Sequence, residues 1–253
     1  MRPARLSGTG GDGDPVLLVA HGSRDPRAAA ATRALAAAVS AARPGRRVVP
    51  SWLDHTRPGP TEALRELVGA GFHRVVLVPL LLTAAFHRRV DIPEAVAAVR
   101  QTVPELAVRV TDVLGPAARA VDPALLAGLR RRLLEAEPGG YDGLVLAAAG
   151  TRDPVGRASV GRVAASLGAA LAVPTRVSYA SAAPPAAGVA VTRLRVRGAR
   201  RVAVAAYFLA PGLFHDAVAV SARQAGAVAV AAPLADAPEL VDLVLRRVDA
   251  VSD

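Results

Sequence analysis

Five histidines offer the chain's most reactive side chains, and two of them follow long apolar runs. Val16 to Pro26 reads V-L-L-V-A-H-G-S-R-D-P, an apolar strand that delivers His21 to its C-terminal tip. A third apolar run, within Arg74 to Leu82, leads to Thr83-Ala84-Ala85-Phe86-His87. Between them a second strand ends at Trp52-Leu53-Asp54-His55. Parallel α/β sheets carry their chemistry at such tips. With the sheet order 2-1-3-4, the tips of the first and third strands are neighbours, and His21 and His87 come within reach of one ion. Two neutral imidazoles suit Fe²⁺, Co²⁺, Ni²⁺ or Zn²⁺. Asp54, from the strand on the other side, completes or assists the set. His55 and His73 read as loop residues.

Arginines adjoin these histidines. Arg24, Arg88 and Arg89 form either a solvated surface or a guanidinium rim that pairs with substrate carboxylates. Asp25-Pro26 reads as a helix cap and a first-turn proline. Gly22 lies outside any G-x-G-x-x-G or P-loop pattern, and Ser23 lacks the G-x-S-x-G setting of a hydrolase nucleophile. Neither a nucleotide site nor a serine hydrolase is supported.

Eight strands alternate with helices along the chain. Strands are expected at Leu17 to Ala20, Arg47 to Asp54, Arg74 to Leu82, Leu106 to Leu114, Leu144 to Ala149, Arg176 to Ala180, Arg201 to Leu209 and Val228 to Leu234. Helices are expected between them, including one from about Ala118 to Glu137 and a last one over Pro238 to Val248. Such alternation argues for parallel sheets with helices on both faces.

The pattern also repeats. Leu144 to Pro154 reads L-V-L-A-A-A-G-T-R-D-P, with Ala149 in the place of His21. Phe86-His87 recurs 128 residues later as Phe214-His215. By the same offset Asp54 falls on Ala182. The fold class is therefore α/β, with two tandem homologous doubly wound halves, each a four-stranded parallel sheet flanked by helices. A disordered lead covers 1–14, the half carrying the site covers 15–138, and a degenerate half covers 139–253 as the other wall of a cleft. His215 is an auxiliary candidate facing that cleft.

Composition narrows the partners. Cysteine is absent, which removes disulfides, iron–sulfur ligation and thiolate metal sites. Aromatics make up only 3%, too few for base-stacking platforms. The 31 basic residues are all arginine, and the net charge is +10. That balance reflects either the codon bias of a high-GC genome or an anionic partner: nucleic acid, a membrane surface or a polycarboxylate ligand. The arginines are scattered, so nucleic acid is not favoured. No apolar run has the length of a membrane span. Residues 1–14 have no signal-peptide core, and a soluble, cytoplasmic protein is expected.

The H-G-S-R-D-P stretch at 21–26, W-L-D at 52–54 and V-P-L-L-L-T-A-A-F-H-R-R-V-D-I-P at 78–93 together resemble the class II chelatases. These comprise sirohydrochlorin ferrochelatases and the cobaltochelatases of anaerobic cobalamin synthesis. The resemblance spans nearly the whole chain and implies the long, two-half form. It implies an enzyme, a lyase, that inserts Fe²⁺ into sirohydrochlorin without ATP. Cobaltochelatase activity is the alternative, and a non-catalytic tetrapyrrole or metal carrier is the alternative from another class. The resemblance implies that His21 and His87 bind the metal and act in catalysis. Asp54 stands where relatives carry a glutamate, and Phe86 where they carry a glycine. No resident cofactor is implied beyond the substrate metal. Oligomeric state stays open, because a two-half chain can close its own cleft as a monomer.

Overall fold

The structure, a computed structural model, describes residues 13–83, 91–116, 120–136 and 139–252. His87, Arg88 and Arg89 lie outside the described residues, as do residues 1–12 of the expected lead. In the first half β1 (Val16–Ala20), β2 (Val48–Trp52), β3 (Arg74–Leu80) and β4 (Ala107–Val110) form one parallel sheet in the order β2-β1-β3-β4. In the second, β5 (Gly143–Ala148), β6 (Thr175–Tyr179), β7 (Val202–Tyr207) and β8 (Ala229–Val230) repeat it as β6-β5-β7-β8. Apart from the exposed Arg74 that opens β3, every position of the central strands β1, β3, β5 and β7 is buried, because both faces of each sheet are covered.

The helices are α1 (Pro26–Ala42), α2 (Pro60–Gly69), α3 (Asp91–Arg100) and α4 (Pro123–Glu135), then α5 (Pro154–Leu171), α6 (Ala187–Val196), α7 (Leu213–Gln224) and α8 (Pro238–Asp249). The cores sort them into layers. Leu17, Val19, Val75 and Leu77 pack with Leu64 and Leu67 of α2 and Ile92 and Val96 of α3 on one outer face. Val145, Val202 and Val204 pack with Val191 of α6 and Val218 of α7 on the other. A central core takes the inner faces of both sheets together with α1, α4, α5 and α8.

The helices that close the halves are exchanged. Helix α4, at the end of the first half, packs against β7 of the second sheet, while α8, at the end of the second, packs against α1 and β3 of the first. They also pack on each other, where Arg131 of α4 meets Glu239 of α8 at 2.8 Å. Arg43 with Asp249, and Arg246 with Asp122, tie the same layer at 2.7 and 2.6 Å.

Several boundaries differ from the sequence expectation; β2, β3 and β7 each end two residues early, at Trp52, Leu80 and Tyr207. Strand β4 stops at Val110, and β8 spans only Ala229–Val230. Both are edge strands with a neighbour on one side only. Beyond them, isolated bonds such as Thr111 N–H to Leu77 O and Leu234 N–H to Phe208 O replace a ladder. Helix α4 begins at Pro123, not near 118, because Asp122 caps it by accepting from Ala124 N–H. Asp14, expected within the lead, accepts from Arg74 Nε at 2.9 Å beside the start of β1.

Candidate functional site

His21 is the residue after β1. Its carbonyl accepts a hydrogen bond from the Asp54 backbone N–H at 2.9 Å, and Ala20 O accepts from Leu53 N–H at 3.0 Å. The ladder thus extends past the strand ends and sets the backbones of His21 and Asp54 side by side. Both residues are exposed. Gly22 makes this closeness possible. Its φ is +94°, and a Cβ there would stand 1.8 Å from Asp54 O. No L side chain fits that gap.

The same turn is built in the second half, where Gly150 has φ +105° and faces Ser181 O at 2.0 Å from a hypothetical Cβ. Ser181 N–H donates to Ala149 O as Asp54 does to His21 O. The structural counterpart of Asp54 is therefore Ser181, not Ala182. In the second half the helix is one residue longer and its connection to the next strand two residues shorter, which moves the offset from 128 to 127. The Ser181 hydroxyl turns inward and donates to Ala149 O. His55 and Ala182 then share a left-handed conformation, φ +61° in each. This loop is shared architecture, and the imidazole and carboxylate at these two positions occur in the first half only.

Strand β3 lies next to β1, as its register of Ala20 opposite Leu80 shows. Its exit leads to the segment that carries His87. That exit is gripped from two directions. Leu81 O accepts from Leu114 N–H and Gly115 N–H, and a Cβ at Gly115 would meet Leu82 O at 1.8 Å. From the other half, Tyr207 OH donates to Leu82 O at 2.8 Å. Tyr207 is 2% exposed, and burial pushes its phenol far above the ordinary range. Sequence reasoning passed over Tyr207 and Gly115. The available signal was a hydroxyl ending the apolar run V-A-V-A-A-Y, since a buried tyrosine needs a partner.

His215 sits in the first turn of α7. Its Nε2 is 3.0 Å from Ala231 O, its ring packs edge-on to Phe208, and its Nδ1 is 3.8 Å from Asp216. These contacts tie it into its own half. Arg24 is exposed beside His21, and Asp25 caps α1 by accepting from Arg27 N–H at 2.9 Å. Arg27, which the sequence did not single out, bridges the halves. It meets Asp25 at 2.5 Å and Asp216 at 2.6 Å, and it holds both carboxyls below the usual carboxylate range. His73 is exposed at the start of β3, away from the tips, with Glu105 at 3.9 Å.

Among the described residues no group of three or more His, Asp and Glu could hold a metal ion. Of the candidate residues, His21, Asp54, Arg24 and His215 are described, while His87, Arg88 and Arg89 lie outside the described residues. No helix of the described residues is long and apolar enough to cross a membrane.

Two sheets of identical topology, His21 and Asp54 bonded through their backbones at neighbouring strand tips of one of them, and helices exchanged between them define a tandem α/β protein of chelatase-like fold. The CbiX family matches residues 15–136 and again 143–251, and the chain belongs to that family. The structure is similar to that of SirB from Bacillus subtilis with Fe³⁺, at 21% identity and a TM-score of 0.81, over 95% of this chain and 96% of the other. SirB of B. subtilis subspecies spizizenii, a sirohydrochlorin chelatase in complex with cobalt, aligns at 19% identity and a TM-score of 0.78, over 95% of each chain. A sirohydrochlorin cobaltochelatase of Methanococcoides burtonii is 30% identical over 79 residues, or 31% of this chain and 60% of that protein.

Proposed function

We propose that the chain is a sirohydrochlorin chelatase, a lyase that inserts a divalent metal into the tetrapyrrole without ATP. The observation that carries the reading is His21 held beside Asp54 at the tip of β1, next to the strand whose exit leads to His87. Membership of the CbiX family, across both halves, supports it.

Insertion requires a held metal and an acceptor for the pyrrole N–H protons. His21 and His87 hold the metal, since neutral imidazole binds Fe²⁺ and Co²⁺ and titrates near neutral pH. One imidazole cannot hold the metal and take a proton at once. Asp54, or the histidine released as the metal moves to the ring, takes the proton. No cofactor beyond the substrate metal is needed. Fe²⁺ is the metal of this reading. Co²⁺ is the second, favoured by the cobaltochelatase relative.

Sirohydrochlorin is mixed anaerobically with Fe²⁺ or Co²⁺, and the absorbance change of metallation is followed. The protein accelerates it. His21→Ala and His87→Ala each lower the rate about 100-fold or more, while His215→Ala has a smaller effect. A rate equal to the uncatalysed one overturns the enzyme, and tight binding without acceleration identifies a carrier.

A further inference from the structure

We infer that Arg27 is a substrate-carboxylate residue of this site, held in reserve by Asp216 and released when the ligand's carboxylate takes that place. The inference rests on the sirohydrochlorin reading above.

Arg27 stands in the first turn of α1, six residues after His21. Its Nε and Nη2 grip Asp25, at 3.1 and 2.5 Å to Oδ2, while Nη2 also reaches Asp216 Oδ2 at 2.6 Å. The two carboxylates differ in kind. Asp25 is the helix cap, its side chain only 10% exposed, so it is fixed in place. Asp216 is 45% exposed and Arg27 52% exposed. An exposed pair of this type is weak and exchanges readily with a competing carboxylate. Asp25 keeps the guanidinium aimed whichever group occupies the Asp216 position.

The place suits a ligand that bridges the halves. Asp216 follows His215 on α7 of the second half. A Cβ at Gly212, the N-cap of α7, would lie 4.0 Å from Ser23 Oγ, and Ser23 is two residues from His21. The N-termini of α1 and α7 thus meet beside the strand-tip imidazole. The bridge is also one-sided. Val155 takes the place of Arg27 in the second half, and by the repeat in sequence Arg88 matches Asp216. That pseudo-equivalent pair cannot form the ion pair, so the bridge is not a by-product of the repeat.

A structural tie and a handover make opposite predictions. If Arg27 and Asp216 only hold the halves together, removing either partner harms the same property in the same direction. If Arg27 passes to the substrate, removing Asp216 frees it and improves binding. The test measures KM for sirohydrochlorin in the metallation assay and Kd for sirohydrochlorin without metal, by absorbance titration. Arg27→Ala raises both about tenfold, the loss of one charge-assisted bond. Arg27→Lys recovers part of this, and Asp216→Asn lowers both about threefold. Changes in the same direction for Arg27→Ala and Asp216→Asn, or no change in either, overturn the proposal. If the wild-type chain metallates or binds sirohydrochlorin and these variants fail to diverge, only the role of Arg27 falls. If the wild-type chain does neither, the chelatase reading falls and takes this inference with it.

Discussion

At Gly22 the backbone itself is part of the site. The turn after β1 brings two carbonyl-bearing segments so close that a methyl group would overlap Asp54 O. Gly22→Ala imposes both that overlap and a positive φ on an L side chain. The two costs together amount to about 2–4 kcal/mol, and relief of the clash must move Asp54 away from His21. Urea unfolding therefore shows a lower midpoint, and metallation falls further than the unfolded fraction explains. Gly161→Ala is the control. It lies within α5 with nothing within 4 Å of a new Cβ, and the change raises stability by about 0.5–1 kcal/mol. At this scale the sequence was informative where the repeat acted as an internal comparison. His21 against Ala149 marked the candidate residue apart from the shared turn, because Gly22, Asp25 and Pro26 recur and the imidazole does not. Arg27 was not legible in that way. Its second partner is 189 residues away, and only the approach of the N-termini of α1 and α7 brings them together.

Elements were legible wherever local rules govern them. Asp25-Pro26 and Asp153-Pro154 each cap a helix, with the carboxylate accepting backbone N–H bonds, and Asp122-Pro123 does the same, a signal that the expected start near Ala118 passed over. The edge strands were overestimated because an apolar run shows burial, whereas a ladder needs a paired neighbour. The exchange of α4 and α8 left no local mark, since an apolar helical face suits either sheet. It does leave a pH signature. Arg131, bonded to Glu239 across α4 and α8, holds that carboxyl below the ordinary glutamate value of 4.5. A carboxyl depressed in the folded state contributes stability that is fully present above its unfolded pKa and is lost as pH falls through the folded one. The difference between wild type and Glu239→Gln in urea midpoint is therefore largest near pH 6 and shrinks as pH falls below 4.5. A difference that grows with acid contradicts this role for the pair.

The exchanged helices make the whole molecule one folding unit despite its two sheets. Helix α8 buries Leu240, Val241, Leu243, Val244, Leu245 and Val248, six apolar side chains, against the first half and the central layer. At about 1.5–3 kcal/mol each, an upper estimate, they contribute about 9–18 kcal/mol. A domain's net stability is about 5–15 kcal/mol. A first half deprived of α8 has no margin left, and a second half deprived of α4, with Leu125, Leu129 and Leu133, is in the same position. The sequence repeat suggests two domains that could be separated at residue 138, but the packing argues against it. Residues 13–136 and 139–252, produced separately, each lack a cooperative unfolding transition and resolved aromatic near-UV circular dichroism. Mixed in equal amounts they recover both signals, because each supplies the helix the other needs. The intact chain unfolds in a single transition by fluorescence and far-UV circular dichroism alike. A fragment that unfolds cooperatively alone, at a midpoint near that of the intact chain, would show that the exchanged helices are dispensable to its half.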